Sequence, residues 1–299
     1  MPAMAESQPD EPDNQPEEQP YDRLAEGYAR HWGPVIQPAA ERVLDHMAPE
    51  IARLHAGGVG TAAEGRHVDL LDVGAGTGAL AIEALRRWPD VHVTGVDPST
   101  GMLEIAARLA EERLGPGGAA NLDTVQGWAD ELDFDDAAFD LAVSSFVLQL
   151  VPSRSAALRE IRRVLRRGGT LAWVAWQRAD APYTPDKVAN DVLDRHGFDP
   201  PEPEGRNGDL ASPEAAAAAM RKAGFREVRA WSDEVAHPWT PRDYLAFFTQ
   251  FDEESLFADL EAAERAEIEA ELLEGLERLS AAELLLRLPV VYAMGRAAG

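Results

Sequence analysis

The stretch "DLLDVGAGTGAL", residues 69–80, decides how the rest of the chain is read. Gly74, Gly76 and Ala79 fit the G-x-G-x-x-(G/A) pattern, in which the backbone turns tightly and a helix begins beside a ligand's phosphates. Asp72 argues against phosphates. It stands two residues before the first glycine, where a strand covered on both faces is expected to be apolar and a carboxylate repels a diphosphate. The loop is better suited to something cationic.

Outward from the loop, strands and helices alternate. "HVDLLDVG" (67–74) reads as a buried strand and "TGALAIEALRRW" (77–88) as a helix stopped by Pro89. "VHVTGVD" (91–97) is the next strand and "TGMLEIAARLAEERL" (100–114) the next helix, ended by a Gly-Pro-Gly-Gly run. Strands are expected at 121–127, 139–148 and 170–177, with a helix over 155–167. This rhythm predicts a parallel sheet covered on both faces, with ligands at the carboxyl ends of the strands. Asp97 ends the second strand, where a carboxylate can accept both hydroxyls of a ribose. An NAD enzyme and an adenosyl-sulfonium enzyme share these features. Asp72 favours the second, because S-adenosylmethionine carries an ammonium and a sulfonium where a dinucleotide carries two phosphates.

Composition narrows the classes. The 299 residues carry 28 basic against 53 acidic side chains, a formal charge of −25, which repels nucleic acid and anionic membranes. No apolar run approaches the ~20 residues of a membrane span, and no basic-then-apolar leader opens the sequence. Zero cysteines exclude disulfides, thiolate metal sites and cysteine nucleophiles, in keeping with a cytosolic protein. Residues 1–20 hold six acids, no bases and five prolines, which predicts a disordered, solubilising tail.

Several stretches in this order resemble a class I S-adenosylmethionine-dependent methyltransferase of the small-molecule type: "LLDVGAGTG" (70–78), "VTGVDPSTGMLEIA" (93–106), "FDLAVSSFVLQLV" (139–151), "LREIRRVLRRGGTL" (158–171) and "AGFREV" (223–228). The resemblance covers roughly residues 20–297. It implies an α/β, Rossmann-like, doubly wound seven-stranded sheet, mostly parallel, whose antiparallel last strand is inserted between the fifth and sixth. Residues 223–235 and 288–297 fit the last two strands. A helical cap over 21–66 and a helical insertion at about 240–287 complete the expected organisation, with 67–299 as the methyltransferase domain.

The resemblance also implies roles. S-adenosylmethionine would lie against Asp72, Gly74, Ala75, Gly76, Thr77 and Gly78, with its ribose on Asp97 and Pro98 and its adenine near Met102. Met102 also falls on one helical face with Ile105 and Leu109, a plain core pattern. After the third strand the family often shows a glycine, an acid and a small residue. Here "QGWAD" places Trp128 at the acid's position, followed by Ala129 and Asp130. Trp128 can stack on the purine while Ala129 and Asp130 supply the polar contacts, or it can pack under the loop. Ser144 and Phe146 close the fourth strand. The turn there lacks the Asn/Asp-Pro-Pro-aromatic motif of enzymes acting on planar amines, and no acids gather near it, so no metal is expected. "SSFVLQLV" also resembles the matching stretch of carrier-protein-linked malonyl O-methyltransferases of biotin synthesis.

The remaining candidates are lids and bases. "YDRLAEGYARHW" (21–32) offers Tyr21, Tyr28 and Trp32 to cover the site, or an amphipathic helix capping the sheet through Leu24 and Tyr28. "TPRDYLAFFTQF" (240–251) starts a helix at Thr240, and its Tyr244, Phe247, Phe248 and Phe251 form one face beside Trp239, over the acceptor side. A small, apolar or aromatic acceptor follows. His31 and His237 are the histidines nearest the expected pocket and the candidates for taking a proton. Residues 252–283, with twelve acids against Arg265 and Arg278, read as an acidic amphipathic helix. Two other readings use the same residues: an adenosyl-ligand-binding protein without catalysis, and an NAD-dependent oxidoreductase. The sequence does not choose an oligomeric state.

Overall fold

A computed structural model describes residues 20–59, 66–179, 182–198 and 208–298. The tail therefore lies outside the described residues up to its last position, Pro20, which opens the first helix. So do the Tyr21 side chain and residues 199–207.

Seven strands form one sheet in the order β3-β2-β1-β4-β5-β7-β6. β1 (Val68–Val73), β2 (Val91–Asp97), β3 (Leu122–Gln126), β4 (Phe139–Ser145) and β5 (Leu165–Trp176) are mutually parallel. β7 (Leu285–Ala297) runs antiparallel between β5 and β6 (Phe225–Pro238), pairing Ala172 with Met294 on one side and Ala293 with Ala230 on the other. The inserted antiparallel strand is as expected. β1 and β4 sit centrally and are buried along both faces, which is why they are mostly apolar and why Asp69, Asp72 and Asp140 stand out in them.

Helices cover both faces. α1 (Pro20–Gly27), a π-helical turn at Tyr28–Trp32, and α2 (Gly33–Ala56) form the cap. α3 (Ala79–Arg87), α4 (Thr100–Ala119), α5 (Arg154–Val164), α6 (Thr184–Arg195) and α7 (Pro213–Lys222) follow. α8 (Pro241–Phe247), a second π turn at Phe248–Asp252, α9 (Glu254–Asp259) and α10 (Ala262–Glu277) build the insertion. Two apolar cores result, one under α2, α6, α8 and α10, the other under α5 and α7.

Several boundaries differ from the sequence reading. The breaks that Gly33-Pro34 and Pro38 suggest in the sequence do not interrupt α2, because Pro34 occupies the permitted first turn and Val35, Ile36, Ala39, Ala40, Val43 and Leu44 hold the helix on the sheet. α5 stops at Val164 rather than residue 167, since Leu165 already pairs with Phe139 as strand. β4 ends at Ser145 because Phe146 takes a positive φ of 57°. The acidic helix is two helices: Phe257 is buried from α9, extended Leu260 breaks the run, and Ile268, Leu272 and Leu276 bury one side of α10. The helices α6 and α7 had no counterpart among the sequence expectations.

Candidate active site

The carboxyl ends of β1, β2 and β4 converge on the glycine loop. Gly74, Gly76 and Gly78 all adopt positive φ, the left-handed region that only glycine enters cheaply. They serve different ends. A Cβ at Gly74 would collide with the Val147 side chain, and one at Gly78 would come within 2.9 Å of Ala106 Cβ, so these two glycines permit close packing. A Cβ at Gly76 would meet nothing within 4 Å. The space above Gly76 is open to a ligand.

Two carboxylates face this space. Asp97 is held by the loop itself: Oδ2 accepts from the Gly76 N–H at 2.9 Å and Oδ1 from the Ser99 N–H at 3.0 Å. Asp72 is 1% exposed, and neither carboxylate oxygen has a hydrogen-bond partner among the described residues. Burial, with the Asp97 charge adding to it, pushes its pKa up to about 7, and a weak contact from the Ala81 backbone offsets only part of this. An orphaned, desolvated carboxylate beside an open glycine is a site built for a donor with positive charge.

The other expected residues fall around this centre with varied partners. The N–H groups of Gly74 and Ala75 donate to Val96 O at 2.7 and 2.9 Å, tying β1 to β2, and Thr77 is buried in the same turn. Pro98 O accepts from the Gln126 side chain at 3.0 Å, and Ser99 caps α4 by accepting from the Met102 N–H at 3.1 Å. Met102 packs with Ala25, Ile105 and Tyr28 between cap and α4, the helical-face pattern of the sequence. Trp128 is 48% exposed at the end of β3, beside buried Ala129 and half-buried Asp130. Ser144 Oγ donates to Val73 O at 2.8 Å, which fixes β4 against β1.

The two segments expected to act as lids meet each other. His31 Nε2 lies 3.2 Å from Gln250 Oε1, and Tyr28 meets Phe251 edge-on at 5.8 Å. A Cβ on Gly27 would stand 2.6 Å from Gln250 O, so the two π turns approach at backbone distance. Burial lowers the His31 pKa below the usual imidazole value. His237 lies against Trp239 at the end of edge strand β6, four strands and about 19 Å along the sheet from β1. Trp176 and Gln250 escaped the sequence reading. The alternation in "TLAWVAWQ" carried the first signal, since Trp173 and Trp176 must face opposite sides of β5.

Residues 70–169 match the family model described as a methyltransferase domain. That span holds the glycine loop, Asp97 and the β4 turn. Over that span the chain is similar to the methyltransferase-domain family. It is 34% identical over 181 residues to a malonyl-[acyl-carrier protein] O-methyltransferase of Geobacter sulfurreducens, covering 58% of this chain and 61% of that one. It is 39% identical over 116 residues to the ubiquinone/menaquinone biosynthesis C-methyltransferase UbiE of Rhizobium leguminosarum bv. trifolii, covering 38% and 43%. The chain thus spans about three fifths or less of the curated relatives it matches. Among solved structures, a chain of the complex between the Haloferax volcanii Trm112 methyltransferase activator and a methyltransferase superposes with a TM-score of 0.51, at 18% identity over 94% of this chain and 98% of the other. A SAM-dependent methyltransferase from Thermotoga maritima superposes with 0.50, at 18% identity over 93% and 98%. Both share the fold.

The residues present fit S-adenosylmethionine, the cofactor that the sequence resemblance implies. Orphaned Asp72 matches the cofactor's positive charge, the open space at Gly76 admits its close approach, and Asp97 stands where a ribose would accept its help. Among the described residues no group of three or more His, Cys, Asp or Glu is placed to hold a metal, and no helix is long and apolar enough to cross a membrane.

Proposed function

We propose that this methyltransferase carries a methyl group from S-adenosylmethionine to a nucleophilic O, C or N of a small-molecule acceptor by in-line displacement. The observation that carries the reading is Asp72, a buried carboxylate without a partner at the mouth of an open glycine turn. The bound cofactor supplies an electrophilic methyl: the acceptor's electron pair forms the new bond while the S–C electrons stay on sulfur. The protein's part is placement and dryness. Asp72 and Asp97 orient the two ends of the cofactor, and the lids keep water from the reacting centre.

A proton must leave an acceptor that bears one. Burial lowers the His31 pKa, which favours the neutral imidazole, and one ring nitrogen lies against Gln250 at the lid contact. The other nitrogen is then available to accept.

Calorimetric titration with S-adenosylmethionine, S-adenosylhomocysteine and NAD, with Asp97→Ala alongside, tests the reading. We expect micromolar binding of both adenosyl ligands, about 100-fold weaker in the variant, and no binding of NAD. NAD binding alone would overturn the proposal. Adenosyl binding without methyl transfer to any acceptor in a broad panel would leave a ligand-binding protein rather than an enzyme.

A further inference from the structure

The acceptor's side of the site is built from rings. Phe146 and Trp176, at the ends of β4 and β5, stand 4.2 Å apart between centroids. Trp32, from the first π turn, lies 6.1 Å from Trp176 and 5.3 Å from Phe247 of α8. Phe247 in turn lies 5.2 Å from Trp239. Four separate elements thus contribute to one row of rings. The row abuts the cofactor loop, because Val147, next to Phe146, is the residue that fills the space over Gly74.

Two features mark where a ligand enters the row. Phe146, Phe247 and Trp239 are buried, whereas Trp32 and Trp176 are half-buried, so these two indoles are the members of the row that solvent reaches. Phe146 holds a positive φ, a conformation that costs a non-glycine residue about 1 kcal/mol or more and that recurs at ligand-contacting positions. Three of the four ring pairs are tilted by 32° to 37°, nearer to parallel than to perpendicular, and the Trp32–Trp176 pair by 45°, midway between the two. A cage for a methylated ammonium needs ring faces that surround a point, whereas near-parallel faces form a slot.

Resting on the methyltransferase reading, we propose that the acceptor is a flat, neutral, unsaturated ring bound between Trp32 and Trp176, and that these two residues determine its class. A ring stacked on both sides needs about 7 Å, twice the ~3.5 Å contact distance of carbon atoms. Starting from 6.1 Å and a 45° tilt, the lid has to yield by about 1 Å and swing Trp32 toward parallel with Trp176. The paired π turns supply the movable part. Trp32 ends the first of them, and its lid meets the second through a single side-chain hydrogen bond, His31 to Gln250, and the edge-on rings of Tyr28 and Phe251. Such turns are irregular stretches of helix that recur at functional sites.

The test is calorimetry on the full chain, with and without S-adenosylhomocysteine, using three probes: 2-naphthol, cyclohexanol and tetramethylammonium. The slot predicts saturable binding of 2-naphthol at least ten-fold tighter than of either other probe. Trp176→Ala weakens it by ten-fold or more, and Trp176→Phe restores most of the loss. S-adenosylhomocysteine binding by the same variants reports that they are folded. Equal affinity for cyclohexanol, preference for tetramethylammonium, absence of naphthol binding, or an unchanged affinity in Trp176→Ala would each overturn the proposal. Failure of S-adenosylhomocysteine to bind the wild-type chain would instead overturn the methyltransferase reading.

Discussion

The two ends of the sheet treat buried carboxylates in opposite ways. At the amino end, Asp140 is 4% exposed and saturated: Arg66 reaches both its oxygens at 2.8 and 3.0 Å, Arg166 lies at 2.8 Å, and the Asp69 N–H donates at 3.0 Å. At the carboxyl end, Asp72 is as deeply buried and has no hydrogen-bond partner among the described residues. Asp69 and Asp72 share strand β1, three residues apart, yet Asp69 takes Arg166 at 2.9 Å and Asp72 takes nothing. Desolvating a carboxylate costs several kcal/mol unless charge or hydrogen bonds compensate it. The amino end compensates with the protein's own arginines and fastens β1 to β4 and β5. The carboxyl end leaves the cost standing, to be relieved by a ligand.

The largest effect should come from breaking the compensated end. Asp140→Ala strands two guanidinium groups and removes the clasp, so we expect a loss of about 3–5 kcal/mol in urea unfolding. S-adenosylhomocysteine affinity should stay within two-fold of wild type. A variant that lost cofactor affinity in step with stability would show that the two ends are not separate devices.

Asp72→Asn should behave in the reverse way. The folded-state pKa of Asp72 is raised from 3.8 to about 7, so the folded chain holds a proton that the unfolded chain has released across that window. The contribution to stability is therefore full below about pH 4 and lost as pH climbs through 7. Asparagine removes that loss. We expect the ligand-free variant to match wild type near pH 4 and to exceed it by about 2–4 kcal/mol at pH 8, a span set by roughly three pK units. Its S-adenosylhomocysteine affinity should fall about ten-fold at pH 8. Equal stability at both pH values would mean that Asp72 finds compensation in the folded chain after all.

The smallest effect on stability sharpens the comparison further. Gly76→Ala imposes a left-handed residue at a cost of about 1 kcal/mol, but its methyl group enters open space. Cofactor affinity should nonetheless fall about ten-fold, because that space belongs to the ligand. At Gly74 the same substitution adds a collision with Val147, so its stability loss should exceed that of Gly76→Ala by about 1–3 kcal/mol. Thermal melts and titrations of the pair separate a packing glycine from a ligand-facing one.

Much of this was legible in the chain. The strand and helix rhythm, the glycine loop, Asp72 and Asp97 follow from local patterns, since period, turn chemistry and an out-of-place charge are all visible within ten residues. The ends of elements were less visible. Pro38 lies inside α2 because tertiary burial of its neighbours outweighs one missing hydrogen bond, and the acidic run breaks into α9 and α10 because Phe257 is drawn into the core. Asp140 passed unnoticed, since nothing near "FDLAVSS" announces that Arg66 and Arg166 will arrive from elsewhere in the chain.

Sequence alone determined that a parallel sheet ends in a glycine turn with a carboxylate at its mouth, because those are properties of neighbouring residues. Which carboxylate is satisfied and which is orphaned was decided by tertiary structure, as was the meeting of His31 with Gln250 across 219 positions and the row of rings from Phe146 to Trp239. Partners so distant in the chain are chosen by the packing of whole elements. Burial then sets the energy of each charge and the spacing of each ring, and neither quantity exists until the chain has folded.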